Sequence, residues 1–346
     1  MEQVKSNADY DAYAESNAES NAETNAELNT DAVSVILPVL NEELYLESAV
    51  NSILQQDFKG AIEIVLAIGP SKDRTLEIAQ KLATSDSRIK IIENPTGKTA
   101  AGLNLAIKHS NNPIVVRVDG HANLERGYIS TAVKILKESG AVNVGGLMAA
   151  EGITSFEKAV ATAMRSPLGV GSAKFHTGGS AGYVDTVYLG VFKREALIAI
   201  GGFDERFTRA QDWELNFRLR ENGGKIYFDP RLKVTYRPRR SLGALAKQYF
   251  EYGRWRRVVT RTHKGTINYR YLAPPITVLG VIASIIGSFF KTIFILPAAI
   301  YLLFILLAAI FIGRSPSEMR YLPFVLFTMQ MSWGVGFITS RKSLIS

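Results

Sequence analysis

The chain has no cysteine among its 346 residues. Disulfide staples, thiolate zinc sites and cysteine nucleophiles are thereby excluded, and a reducing compartment is compatible with the composition. The first 31 residues lack the basic start and apolar stretch of a secretory signal, so none is expected there. Between Ala14 and Asn29 the chain repeats Ala-Glu-x-Asn, with no aromatic residue and one large apolar residue, Leu28. Such a segment cannot offset its ordering entropy by burial, and residues 1–31 read as a disordered acidic tail. Toward the other end it is charge that is missing. The stretches Leu272 to Phe290, Ile293 to Ile312 and Tyr321 to Ile338 contain no charged residue. Each is long enough to cross a bilayer core.

What is present is an excess of positive charge, +8 at neutral pH, which favours anionic partners. Much of it lies just before the apolar stretches, in Arg239, Arg240, Arg254, Arg256, Arg257, Arg261, Lys264 and Arg270. Basic residues beside spans mark the cytoplasmic side and attract anionic lipid. The expectation is a multi-pass protein of the cell membrane. Residues 241–271 form a basic interfacial segment, residues 272–346 carry about three transmembrane helices, and the preceding domain faces the cytoplasm. With three spans, Arg341 and Lys342 would lie on the far side, against the same rule. A nucleic-acid partner is not expected, because the basic segment runs straight into the apolar ones.

Between Val33 and Tyr236 short apolar runs alternate with helical patterns. Val33–Leu37, Ile62–Ile68, Ile89–Ile92 and Ile114–Val118 read as buried strands. Glu42–Gln55, Asp73–Ala83 and Ala100–His109 read as helices, the second with Asp73 as N-cap. This alternation predicts βαβ units and a mainly parallel sheet, with ligands bound beyond the carboxyl ends of the strands. Asp119-Gly120-His121 falls at such an end. A carboxylate and an imidazole suit Mn²⁺, and less well Mg²⁺, when substrate phosphates complete the shell. Glycine between them leaves room for a diphosphate to approach the backbone. By themselves these residues also suit a plain strand-to-turn transition. Asp212 and Glu214 fall at the start of a helix, where the dipole favours ionised carboxylates and where one can act as a general base. Taken alone, ordinary N-capping is the commoner explanation of such residues. Gly97-Lys98-Thr99 superficially suggests a phosphate loop, but that motif needs glycine at position 92, which is Ile92, so an ATPase is excluded.

Six pieces, taken in order, resemble the motifs of the family 2 glycosyltransferases: Val35 to Glu42, Ser71 to Thr75, Asn94 to Asn104, Asp119-Gly120-His121, Gly201 to Glu205 and Gln211 to Glu214. The resemblance implies a GT-A domain over residues 32–240, a Rossmann-like α/β fold with a mainly parallel sheet flanked by helices, followed by C-terminal transmembrane helices. It implies inverting transfer of a sugar from a nucleotide sugar, UDP-linked by family default, with Mn²⁺ or Mg²⁺ as cofactor. Carried over by position, Pro38 and Glu42 line the nucleotide pocket and Lys98 adds positive charge near the phosphates. Asp119 touches the nucleoside side and reaches the metal, and His121 meets the metal bridging the phosphates. Asp212 deprotonates the acceptor. Asp185 and Trp213 contact substrate, and Arg254-Trp255 closes over the diphosphate.

Three departures from the family pattern matter. Ile68-Gly69-Pro70 stands where acidic residues read the base, and His121 takes the third place of Asp-x-Asp. Glu251-Tyr252-Gly253 precedes Arg254-Trp255 where processive members carry Gln-x-x-Arg-Trp, so a processive polymerase is not expected. Within the family, Arg117 to Ala122 and the C-terminal spans are most similar to succinoglycan-type exopolysaccharide enzymes. These extend a lipid-linked saccharide, often with glucose, in cell-surface or extracellular polysaccharide synthesis. Two other readings stand beside this one. A polyprenyl-phosphate sugar synthase would need no strong base at Asp212. A non-catalytic membrane scaffold with a degenerate nucleotide-binding domain would account for Ile68-Gly69.

Overall fold

The computed structural model describes residues 31–267 and 269–345; residues 1–30, most of the acidic tail, lie outside them. The nine strands of the described residues are β1 (Val33–Val39), β2 (Ile62–Ile68), β3 (Ile89–Glu93), β4 (Ile114–Arg117), β5 (Asn123–Leu124), β6 (Asn143–Ala150), β7 (Gly182–Tyr183), β8 (Tyr188–Lys193) and β9 (Ile226–Tyr236). They form one sheet in the order β3-β2-β1-β4-β8-β6-β9-β5, with β7 paired to β9. The four strands at the β3 end are mutually parallel, as the alternating pattern predicts. β8 runs antiparallel between β4 and β6, and β6 pairs parallel with β9, so the far half is mixed.

The helices of the domain longer than a single turn are α1 (Leu46–Leu54), α2 (Thr75–Ser85), α3 (Thr99–His109), α4 (Tyr128–Ser139), α5 (Ser155–Met164), α6 (Arg194–Ala199) and α7 (Gln211–Glu221). Alternation along β1 and β2 sorts them onto two faces. Val33, Val35, Leu37, Ile64 and Leu66 pack with Leu46, Val50, Leu82 and Ile129 from α1, α2 and α4. Ile36, Val65 and Ala67 pack with Leu103, Leu197 and Leu215 from α3, α6 and α7. Both faces of the central strands are dry, which explains why they read as unbroken apolar runs.

Two boundaries differ from the sequence expectation. The helix expected over Glu42–Gln55 begins only at Leu46. Asn41 is left-handed, with φ 56°, and the N–H groups of Glu42 and Glu43 donate to Thr75 Oγ1 and Asp73 Oδ2 at 2.7 and 3.2 Å. Those donors are tied to a neighbouring loop. The cap position of α2 falls on Arg74 rather than Asp73. Asp73 still performs part of that task, because its Oδ1 accepts the Thr75 N–H at 3.1 Å.

After β9, Ser241 Oγ accepts the Ala244 N–H and starts α8 (Leu242–Thr262). Beyond it, α9 (Tyr269–Ser288), α10 (Leu296–Ile312) and α11 (Leu322–Thr339) follow the three apolar stretches. Each is long and apolar enough to cross a membrane, α10 together with the preceding helical turn Thr292–Ile295. The turn between α9 and α10 is closed by Ser284 Oγ, which donates to Phe294 O at 2.6 Å and accepts the Ala298 N–H at 3.1 Å. α11 lies along α8 through facing glycines. A Cβ at Gly253 would stand 1.9 Å from Trp333 O, and one at Gly336 would stand 2.0 Å from Phe250 O. Small residues at such crossings let two backbones touch.

Gly253→Ala is therefore expected to force α8 and α11 apart. Overpacking of this kind costs about 1–3 kcal/mol, read as a drop of several degrees in the melting temperature of the detergent-solubilised protein. An unchanged melting temperature would show that the two helices are not locked through these glycines.

Candidate active site

The site lies beyond the carboxyl ends of β1, β2 and β4, where the parallel half of the sheet meets β8. β4 delivers Arg117, a charged residue inside the apolar run Ile114-Val115-Val116. Arginine is rarely buried unless paired, and Arg117 retains only 5% side-chain exposure. One arm donates to Asp212 Oδ1 and the other to Asp119 Oδ1, the latter at 3.2 Å. Its guanidinium carbon also lies 5.6 Å from the centre of the Phe203 ring. Burial works against the charge, but Asp212 and Asp119 outweigh it and hold Arg117 above its ordinary range. The motif pattern carried no role for Arg117. The signal for it was the single charge in a strand otherwise buried on both faces.

Asp212 is the second residue of α7, whose cap position is Ala210, left-handed with φ 62°. Leu189 on β8 is left-handed too, with φ 59°, and its N–H bonds to the Asp212 carboxylate. Asn41, Leu189 and Ala210 are the non-glycine residues of positive φ among the described residues. Each sits next to a functional carboxylate, the pattern of strain held where geometry must be exact. The dipole argument expected Asp212 to stay readily ionised. Instead, burial pushes it up to about 6, against the opposing pull of Arg117. Its side chain keeps 24% exposure, so a hydroxyl can still reach it. Beside it, burial and the charge of Asp119 hold the Tyr188 hydroxyl well above its usual range.

The second cluster is Glu42 with His121. His121 Nδ1 lies 2.8 Å from Glu42 Oε1. That bond raises the imidazole's pKa, opposed by burial and assisted by Asp119. Glu42 is in turn fixed by the loop over residues 71–75. Asn41 donates its N–H to Ser71 Oγ at 3.0 Å and accepts the Lys72 N–H at 2.8 Å, next to the Glu42 bond to Thr75. A Cβ at Gly120 would meet Glu42 Cγ at 3.0 Å, so the glycine also makes room for Glu42.

A divalent cation fits this donor set only in part. Among the described residues no group of three or more His, Cys, Asp or Glu side chains converges to hold one. Asp119 and His121 stand one residue apart on the same turn, and the His121 ring is oriented by a carboxylate on its other nitrogen, as ligating imidazoles usually are. Two such ligands suit a metal shared with phosphate oxygens.

The remaining expected residues divide. Pro38 lies on β1 opposite Ala67, facing the side where β4 has already ended, so its missing N–H costs no ladder bond. Lys98 is exposed at the start of α3. Its loop closes on the end of β2, where Gly97 approaches Gly69 and Pro70, so Gly69 has a packing reason to be there. Asn104 ties α3 to the Gly201–Glu205 segment, accepting the Phe203 N–H and donating to Phe203 O at 2.8 and 2.9 Å. Asp185 is not drawn in: it is exposed and lies 3.5 Å from Arg220 at the other end of α7. Trp255 is corrected as well. It is 3% exposed, with its ring 5.7 Å from Phe207, so it is core and cannot cover a diphosphate. Arg254 pairs with Glu251 at 2.7 Å. Trp213 stacks on Phe217, and Arg256 lies 4.8 Å from its ring and 4.5 Å from that of Tyr271 on α9. No motif assigns a partner to His263. It bonds buried Glu214 at 3.1 Å, and Arg218 holds the same carboxylate at 2.6 Å.

A family model described as glycosyl transferase family 2 matches residues 34–201. The chain is 31% identical over 242 residues to the succinoglycan biosynthesis protein ExoA of Rhizobium meliloti (strain 1021), covering 69% of this chain and 73% of that protein. It is 29% identical over 254 residues to a dolichyl N-acetyl-alpha-D-glucosaminyl phosphate 3-beta-D-2,3-diacetamido-2,3-dideoxy-beta-D-glucuronosyltransferase of Methanococcus voltae, covering 70% and 77%. Among solved structures, mannosyltransferase PcManGT from Pyrobaculum calidifontis, in complex with GDP-Man and Mn²⁺, aligns with a TM-score of 0.57 at 20% identity. The alignment covers 88% of this chain and 86% of that one, and the likeness is one of fold.

Trp255→Ala is expected to act as a core truncation, costing about 3–5 kcal/mol in a denaturant or thermal melt. A variant of unchanged stability with weakened nucleotide-sugar binding would restore Trp255 to the substrate pocket.

Proposed function

The chain belongs to glycosyl transferase family 2, and on that premise we propose that it is a membrane-anchored inverting glycosyltransferase. In this reading it moves a sugar from a UDP-linked donor, with UDP-glucose the first to try, to a lipid-linked glycan in cell-surface or extracellular polysaccharide synthesis. Its catalytic domain faces the cytoplasm, where nucleotide sugars are made. The observation that carries the reading is the arrangement around Arg117. One guanidinium holds a donor-side carboxylate, Asp119, and an acceptor-side carboxylate, Asp212, in fixed register. The two relatives, one of succinoglycan biosynthesis and one acting on a dolichyl phosphate sugar, support the acceptor class. The packing of Trp213, Arg256 and Tyr271 links the start of α7 to the first apolar helix and so supports an acceptor presented from the membrane.

The proposed chemistry is a single displacement. Asp212 takes the proton of the acceptor hydroxyl, whose oxygen bonds to the anomeric carbon from the face opposite the diphosphate. The bond from that carbon to the phosphate oxygen breaks, nucleoside diphosphate leaves, and the anomeric configuration inverts. A base near 6 suits this task, being largely ionised at neutral pH yet still basic enough to accept a proton. Arg117 opposes further protonation of Asp212 and keeps it aimed. Asp119 and His121 would hold Mn²⁺ or Mg²⁺ together with the donor's phosphates, where its charge would offset that of the leaving diphosphate. Glu42 orients the His121 ring, and Lys98 stands free to approach the phosphates.

Purified protein in lipid, given a panel of nucleotide sugars with Mn²⁺, Mg²⁺ or chelator and a lipid-acceptor extract, tests the proposal. Asp212→Asn should lower transfer by about 10²–10⁴-fold while donor binding persists. Asp119→Ala should lose metal-dependent donor binding. Unimpaired transfer by Asp212→Asn would sink the base assignment and favour a lipid-phosphate acceptor, which needs no base. Binding without turnover on any acceptor would favour the scaffold.

The pH profile carries a sign of its own. Asp212 must be deprotonated, so kcat/KM should be sustained above about 6 and fall as pH drops through that value. Arg117→Met removes an influence that lowers the pKa, so the acidic limb should move to higher pH. A limb that stays in place would mean that another group sets it.

A further inference from the structure

The domain holds the apolar region at three points along the chain. At the entry, Arg270 donates to Ser172 Oγ, and Arg256 lies against Tyr271. At the second point, just past α10, Arg314 shares a cavity of about 340 Å³ with Glu151, Lys158, Arg165 and Arg237 of the domain. There Glu318 accepts the Thr162 hydroxyl at 2.9 Å. At the end, Ser340 Oγ donates to Arg254 O at 2.9 Å and Arg261 donates to Ser340 O at 3.0 Å. Leu344 and Ile345 then pack against the cluster of Phe207, Trp255 and Val259, beside Ala210 and Trp213.

Between the first two points the chain runs out and back. α9 and α10 meet at the Ser284–Ala298 turn, and the tip exposes Phe289 and Phe290 at 84% and 82%. Between the second and third points α11 keeps both ends on the domain. It lies across the base of the α9–α10 pair, with Gly334 against Pro274. Gln330 accepts from the Tyr301 hydroxyl at 3.1 Å and donates to Leu168 O at 3.0 Å. Of the α11 window 39% is buried in protein, against 17% and 22% for the other two. Its exposed Phe324, Phe327, Val335 and Ile338 recur at helical spacing along one face.

Each crossing of a bilayer changes side, and one folded domain occupies one side. Any two points held by that domain must therefore be separated by an even number of crossings. From this parity we infer that α9 and α10 form a two-crossing hairpin. α11 does not cross; it lies in the leaflet beside the catalytic domain, its outer apolar face toward lipid. The charges agree. Arg314, Arg320, Arg341 and Lys342 then share the domain's side, and Lys291 at the tip is the one charged residue of the far turn. This removes the conflict that three crossings create for Arg341 and Lys342.

The inference rests on the reading that the apolar helices enter lipid, and the missing cysteines make it directly testable. Single cysteines placed by Lys291→Cys, Lys342→Cys and Lys59→Cys in the full chain would meet a membrane-impermeant maleimide, in spheroplasts and in inverted vesicles. The cysteine-free parent should stay unlabelled. Lys291→Cys should label in spheroplasts, and Lys342→Cys and Lys59→Cys only in inverted vesicles. Labelling of Lys342→Cys from the same side as Lys291→Cys would establish a third crossing and overturn the inference. Labelling of all three from one side would overturn it by removing the hairpin. Arg341→Cys repeats the C-terminal arm should Lys342→Cys fail to accumulate. An alkaline carbonate wash separates the two failures: a chain released from the membranes defeats the membrane reading itself, whereas a retained chain with its end on the far side defeats only the two-crossing topology.

Discussion

A guanidinium at the buried end of a strand cannot stay uncompensated, and most of the site follows from how Arg117 is satisfied. Removing a charge from water costs several kcal/mol unless partners replace the lost hydration. Asp119 and Asp212 supply them from opposite directions, one from the turn that ends β4 and the other from the first turn of α7. Asp212, 95 residues from Arg117 in the chain, and Asp119, two residues from it, are brought to one cation. The same pairing leaves Asp212 in a balance, raised by burial and restrained by Arg117, which places it near 6.

Strain and close packing surround this pairing. The left-handed residues are Asn41, which adjoins Glu42, Leu189, whose N–H bonds to the Asp212 carboxylate, and Ala210, which caps the helix of Asp212. Their cost is met by neighbouring bonds: the loop over residues 71–75 clamps Asn41 and Glu42, and Asn104 clamps the turn before Phe203. Gly69 and Gly120 belong to the same scheme. Each removes a side chain where a loop or Glu42 must pass. Ile68-Gly69 thus lets the loop before α3 close on the end of β2.

The domain is not merely tethered to the apolar helices. α8 carries Trp255 and Val259 into the cluster beside α7 on one face and Gly253 into α11 on another. Arg256 lies between Trp213, next to the site, and Tyr271, at the entry to α9. A shared apolar cluster joins the domain to these helices as well: Met148 of β6 and Val160 and Met164 of α5 are buried together with Ile305 of α10 and Val325 and Met329 of α11.

The sequence by itself determined the alternating α/β fold, the apolar helices and the positions of Asp119, His121 and Asp212, because these depend on local periodicity and on motifs that recur in a fixed order. It placed strands β1 to β4 and the helix at Asp212 within a few residues of their observed bounds. What it could not carry were partners distant in the chain. The role of Arg117, the Glu42 contact with His121, the burial of Trp255 and the Glu214 partner of His263 all arise from contacts between separate elements. So does the pKa of Asp212, whose helix-start position implies easy ionisation until the surrounding protein displaces water. The side of the membrane on which α11 ends has the same origin. Composition marks a segment as apolar enough to cross, but only its packing against α5 and α8 decides where it rests, because an apolar helix can bury its surface in protein as well as in lipid.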